Sequence, residues 1–569
     1  MIHHQSPISG IATFKDRYIA TAGYDNQVIL WDPKTRTAIA VGRHDHLGNQ
    51  CEFSPCGQYL ISTSSDYTVR LWQVPSMQLL AVLGPHQDDV EMAIFHPRER
   101  WIATASRDKT IRLFDFQGHL IRGFVGHEKD VISLAFLSKD LLLSSSDDGT
   151  IRHWDIHTGQ QILTIDLGGV ETDTIAIHPE GIVFAGNDEG DIALISDKHT
   201  IWVKAHQSGI KRLCYSTTHK MLVSLSYDRS MRLWRLNEAQ ELVQINQTIL
   251  PPCVWARSCA FLGENQLVLA TFGSHYAVYD YKEEQWITEQ VQDTHGVNAV
   301  LLKEGDLYQV GDSGVVCING SRHSKLPSLC NFLLSLGHTV ICGGQTGEVY
   351  DALKGEILYQ HHSPLNCGAR YTESGKEYAL IGSYTGEGLV FEVDSNGNSH
   401  FVDTVALHQN AIKGIAVEDG LIFSVCADYA AAFHETKTFQ LKHYLRNAHD
   451  KIANACSSFG NGLFVSASRD LKLRLFSADE VKEFKTEHRY SIKCLATSKD
   501  KQWLASADYR GHVFVYDRDF NTIAHQRPTL SGISQIIAGK RNYEFLAASY
   551  DGTVYPMCFK EIDSPLLFV

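Results

Sequence analysis

No stretch of the chain reaches about 18 uninterrupted apolar residues, which excludes a membrane-spanning helix. Basic residues are the minority charge. The 51 Lys and Arg stand against 65 Asp and Glu, and the net charge of −14 disfavours broad attraction to nucleic acid or anionic lipid. No block of five like charges marks a tail or arm. The opening residues, MIHHQSPISGIATF, lack the basic region and apolar run of a secretory leader. Thirteen cysteines include no CxxC pair and no regular spacing, so they read as reduced thiols used as small buried hydrophobes. A cytoplasmic setting is the expectation. GxSxG, HExxH, a phosphate-cradling GxxxxGK(S/T) and a helix-opening GxGxxG are all missing. No catalytic residues, no enzyme and no cofactor are therefore expected.

What the sequence does have is material for cores, 44% hydrophobic and 10% aromatic, and a length of 569 residues that calls for more than one domain. It also repeats itself. TASRDKTIRLFD at 104–115 returns as TAGYDNQVILWD, STSSDYTVRLWQ, SSSDDGTIRHWD, SLSYDRSMRLWR and SASRDLKLRLFS. Each copy sets an aromatic six residues after an Asp: Asp25/Trp31, Asp66/Trp72, Asp108/Phe114, Asp148/Trp154, Asp228/Trp234 and Asp470/Phe476. Weaker copies at Asp188, Gly273, Asp312, Gln345, Thr385, Asp428, Asp508 and Asp551 bring the markers to fourteen. The spacing of about 40 residues is that of four-stranded propeller blades. In the unit around Asp148, alternation predicts strands near 131–136, 141–145, 150–155 and 161–165, with polar turns between them.

On these motifs the chain resembles the WD40 repeat family, with Trp-Asp pairs at Trp31-Asp32 and Trp154-Asp155. The resemblance implies an all-β fold. It also implies, in each unit, a hydrogen-bond relay of His, Ser/Thr, Asp and Trp. The matching sets are His44, Ser62, Asp66 and Trp72; His127, Ser144, Asp148 and Trp154; and His206, Ser224, Asp228 and Trp234. The chemistry is sensible in its own right: a carboxylate orients an imidazole, which bridges to a hydroxyl, and a buried indole N–H needs an acceptor.

Propellers close with about four to eight blades, so fourteen units predict two tandem seven-bladed rings, residues 1–293 and 294–569. PLLFV at the end reads as an outer strand. The residue before each turn Asp should project onto one rim, where the family commonly contacts partners. Those positions are Tyr24, Arg107, Asn187 and Tyr227 in the first ring, and Tyr384, Arg469 and Tyr550 in the second. Tyr and Arg concentrate binding energy at interfaces, so the expected function is a scaffold that binds other proteins, not nucleic acid or membrane. The rival reading is a small-molecule- or metal-binding propeller with a site in a central funnel. His44 and His46 are its metal candidates, since alternate residues of an extended strand face the same side. CVWARSCAF around Trp255 departs from the repeat and reads as a repacked core blade.

Overall fold

A computed structural model describes residues 2–196, 199–477 and 480–559. Every regular element among them is a β-strand. Fifty-five strands pair antiparallel in fourteen sheets, thirteen of four strands and the last of three. Each sheet is a meander of consecutive strands, and among the described residues no strand is exchanged between sheets. The PLLFV segment lies outside the described residues.

The fourth sheet shows why the sequence folds this way. Its strands are Val131–Phe136, Leu141–Ser146, Thr150–Asp155 and Gln161–Asp166. Leu142 pairs with Trp154 and Ser144 with Arg152 across the second and third strands. The turn between these strands is built by the marker Asp. Asp148 Oδ1 accepts the Thr150 N–H at 3.0 Å and the Thr150 hydroxyl at 2.6 Å. The residue after the Asp must then take a left-handed backbone. Gly149 does so at φ 75°, and a Cβ there would come within 2.5 Å of Gly169. Other sheets put Asn26, Tyr67, Lys109, Arg229, Tyr429 and Leu471 in the same conformation, at φ between 65° and 70°. The Asp cap offsets a steric cost these side chains carry.

Burial peaks at the second strand and is least at the fourth: Leu141–Ser146 is almost wholly buried, whereas Gln161–Asp166 is mostly exposed. Apolar cores fill the spaces between consecutive sheets. Ala103, Ile111 and Phe124 of the third sheet, for example, meet Leu134, Leu142 and Trp154 of the fourth.

The chain divides into two compact units, Met1–Thr294 and His295–Val569, each holding seven sheets. In the first unit the first strand of each sheet packs on that of the next. The first sheet also meets the seventh: Ile8, Ile19, Ile29 and Trp31 pack against Leu262, Val268 and Tyr276. The Ile11 N–H donates to Ser258 Oγ at 3.1 Å and the Thr13 hydroxyl to the Phe261 carbonyl at 2.7 Å. In the second unit Val297 and Val300 of the eighth sheet pack on Ala548 of the fourteenth, and the Val300 N–H donates to Gln535 Oε1 at 2.7 Å.

Candidate functional site

The relay residues meet in space. In the fourth sheet His127 Nδ1 lies 2.8 Å from Asp148 and Nε2 lies 2.7 Å from Ser144 Oγ. The Trp154 indole donates to the same hydroxyl at 2.8 Å. The hydroxyl thus accepts from Trp154 and donates to Nε2, leaving Nδ1–H to donate to the carboxylate. His44 repeats the pattern with Asp66 at 2.9 Å, Ser62 at 2.7 Å and Trp72, and His206 with Asp228 at 3.0 Å, Ser224 at 2.7 Å and Trp234. The first sheet forms a further set from His4, Thr21, Asp25 and Trp31. His86 with Thr104 and Asp108, and His488 with Ser506 and Asp508, complete the inventory without a Trp. Burial alone would raise the carboxyls of Asp66, Asp108, Asp148 and Asp228. The hydrogen bonds and charge of their histidines, the turn hydroxyls and the backbone N–H groups together outweigh it and hold all four well below the usual carboxylate range.

His44 and His46 do not form a chelating pair. They lie in the bend before strand Gly48–Phe53 and not in an extended strand. Both nitrogens of His44 are committed to Asp66 and Ser62, and His46 Nδ1 accepts the Leu47 N–H at 2.8 Å. Among the described residues, His361 with His362 and Glu387, and His408 with Cys426 and Asp428, have ligand-type atoms close enough to share an ion.

The expected rim residues stand in the turns between the second and third strands of their sheets, and all but Asn187 are part-buried. In the first unit Arg107 bridges Glu91 at 2.5 Å and Asp130 at 2.7 Å. Glu91 also takes Arg257 at 3.3 Å, from the seventh sheet. Arg257 covers the Trp255 ring, and Tyr24 meets that ring edge-on at 5.4 Å. Trp255 itself is buried and stacks on Phe272. Lys211 covers the Tyr227 ring at 4.9 Å and pairs with Asp173 and Asp188. Burial, reinforced by neighbouring carboxylates, pushes Glu171 up to about 7; Asp188 rises to about 6 against the opposing pull of Lys211. Asn187 departs from expectation. It is only 3% exposed, and its Oδ1 accepts the Asp191 N–H at 2.8 Å, closing its own turn instead of facing a partner.

The second unit builds the corresponding region from cations and phenols. Lys413 lies 4.5 Å above the Tyr384 ring and Lys493 lies 5.9 Å from that of Tyr509. Tyr509 and Tyr550 stack with 6.3 Å between centroids and 8° between planes. The nearby phenols of Tyr509 and Tyr550 raise the Lys493 ammonium above its ordinary range. Arg469 is half-buried at the matching turn.

Glu91, Lys211, Lys413 and Lys493 escaped the sequence reading. The signal that finds them is position: each stands five residues after a relay histidine, at the start of an innermost strand. At the opposite end of those strands the first unit holds a cavity of about 1270 Å³, lined by Glu52, Arg212, Cys214 and Tyr215 among others. All thirteen cysteines are free thiols, most of them buried or half-buried, with Cys56 and Cys558 exposed. Among the described residues no helix is long and apolar enough to cross a membrane.

Residues 1–32, 43–73, 77–115, 118–155, 197–235 and 479–517 match the family model described as WD domain, G-beta repeat. The chain contains WD repeats. Five of the six matched segments of this WD-repeat chain fall in the first unit. Similar proteins include the transcriptional corepressor LEUNIG_HOMOLOG of Arabidopsis thaliana, 26% identical over 42% of this chain and 25% of its own. Autophagic-related protein 16.2 of Caenorhabditis elegans is 28% identical over 41% of this chain and 46% of its own length. An uncharacterized WD repeat-containing protein of Synechocystis is 34% identical over 35% of this chain and 59% of its own. The match thus spans less than two thirds of each of these relatives.

Proposed function

We propose that the chain forms two seven-bladed propellers, each closed by packing of its first sheet on its last, and that it serves in the cytoplasm as a non-catalytic scaffold for other proteins. Partners dock where the innermost strands converge. The observation that carries this reading is the convergence there of Tyr24, Arg107, Lys211, Tyr227 and Arg257 from four sheets of the first unit, and of Tyr384, Lys413, Lys493, Tyr509 and Tyr550 in the second. These residue types dominate binding hot spots, and a sheet framework presents them with little ordering entropy left to lose. A relative named as a transcriptional corepressor fits an adaptor role.

Affinity capture with the full chain tests this. Proteins recovered by the wild type should fall at least about tenfold with Tyr24→Ala/Tyr227→Ala or with Lys413→Ala/Tyr550→Ala, the loss expected of a hot spot. Unchanged recovery by both double variants overturns the docking faces.

One observation favours a second reading, a small ligand in the first unit's cavity. Burial there pushes the Glu52 carboxyl up to about 8, and its Oε2 has no hydrogen-bond partner among the described residues. Metabolites that raise the melting temperature of the wild type but not of Glu52→Gln would support it.

A further inference from the structure

The tenth sheet, residues 365–406, keeps the histidine of the relay and loses every partner. When its turn is superposed in register on that of the fourth sheet, Ser383 matches Ser146. Ile381 then stands where Ser144 does, Thr385 where Asp148 does, and Phe391 where Trp154 does. His361 still enters as a relay histidine: its N–H donates to the Gly347 carbonyl at 2.9 Å, as that of His206 does to Gly190 at 2.8 Å. With no hydroxyl or turn carboxylate to receive it, the ring finds another set. Nε2 lies 3.0 Å from Glu387 Oε2, at the start of strand Glu387–Val393.

A second imidazole follows at once. His362 Nε2 lies 3.8 Å from the same carboxylate oxygen, and the two rings are 4.2 Å apart with a tilt of 41°. The ligand-type atoms of all three side chains lie within 4.8 Å of one another. Tetrahedral zinc, with bonds of about 2.0–2.2 Å, holds adjacent ligand atoms ~3.3 Å apart, between the two measured separations.

The surroundings fix these groups as ligands are fixed. The Thr385 hydroxyl donates to Glu387 Oε2 at 2.7 Å, and Ser383 Oγ accepts the Glu387 N–H at 3.0 Å, so the carboxylate is oriented from its own turn. His361 Nδ1 faces both the carbonyl of Ser363 at 3.1 Å and its N–H at 3.2 Å. The ring can therefore hold its proton on Nδ1 and present the Nε2 lone pair. His361 is buried, Glu387 half-buried and His362 exposed, which leaves one side of the group open to water.

We propose that His361, His362 and Glu387 bind one zinc ion through the two Nε2 atoms and a Glu387 carboxylate oxygen, with the fourth position open to solvent. The ligand set is two imidazoles and a carboxylate, which suits a borderline divalent ion and not calcium or magnesium. The ion ties the loop entering the tenth sheet to that sheet's central hairpin, the linkage that His, Ser and Asp make elsewhere. This assignment is independent of the scaffold reading.

The full chain, stripped with a chelator, is titrated with zinc chloride by calorimetry, and bound metal is counted by mass spectrometry. One zinc per chain is expected, with a rise in melting temperature. His362→Ala, at an exposed position that leaves the core intact, and Glu387→Gln should each weaken binding by at least about 10- to 100-fold and abolish the rise. His323→Ala, another exposed histidine, should change nothing. Substoichiometric zinc, or equal affinity in the wild type and both variants, overturns the proposal. Cobalt substitution gives a second reading. A thiolate-to-cobalt band that disappears in Cys426→Ser would put the ion in the His408, Cys426 and Asp428 group, and would overturn it as well.

Discussion

Five sheets of the first unit join a histidine to the carboxylate of its turn, through His4, His44, His86, His127 and His206. In the second unit His488 keeps that bond, while His408 and His449 keep the hydroxyl partner and lose the carboxylate. His408 Nδ1 is buried with no hydrogen-bond partner among the described residues. His449 Nδ1 meets the Tyr429 carbonyl instead, and Asp470 has turned to Arg474 at 2.6 Å. Both units carry the same sheets. The relay is therefore one way to satisfy a buried polar set and not a requirement for the meander. The apolar cores between sheets are as continuous in the second unit as in the first.

The largest test of this contrast is removal of the turn carboxylate. Asp148→Ala leaves His127 and Ser144 buried without their anchor and should cost roughly 3 kcal/mol. Asp428→Ala, whose carboxylate accepts the Ala430 N–H and the Tyr444 hydroxyl, should cost about 1 kcal/mol. Urea unfolding followed by hydrogen exchange in peptides of each unit separates the two; equal losses would end the distinction.

Acid should loosen the sheets that carry His408 and His449. Burial pushes His408 down to about 4, and burial aided by Arg474 does the same for His449. Unfolded histidine titrates near about 6.5, so between these values the unfolded chain binds more protons and stability falls as the pH drops. A loss on the order of a few kcal/mol is expected by about pH 4, read as earlier exchange of the strands that carry Ser424 and Ser466. In the first unit burial also lowers His127 and pushes His275 down to about 4, while the depressed carboxyls contribute stability that persists until they protonate, below the ordinary carboxylate range. Unchanged exchange of those strands down to about pH 4 would contradict this.

The smallest effects sharpen the account of the turns. Gly149→Ala should destabilise by about 1–3 kcal/mol, because its Cβ meets the Gly169 backbone. Leu471→Gly, at φ 67°, should stabilise by about 0.5–1 kcal/mol by removing the left-handed penalty. Melting temperatures of the two variants check both signs.

The strands and the relays were legible because their determinants are local. Alternation marks each strand, and His127, Ser144, Asp148 and Trp154 lie within one repeat. Contacts between distant repeats were not. Arg257 reaches Glu91 across 166 positions, and no spacing rule announces it. The pairing of His44 with His46 failed because it assumed a strand where the chain bends. His361 and His362 are adjacent in the sequence, but their carboxylate waits on a strand whose marker Asp has become Thr385, so no motif pointed to it.

Because each sheet is self-contained, the join between the first and seventh sheets has no shared ladder. Apolar side chains and scattered hydrogen bonds such as Ile11 to Ser258 hold it. Under mechanical load such a seam yields by side chains slipping past one another, with no row of backbone bonds to shear in concert. That is where the first unit should fray when pulled.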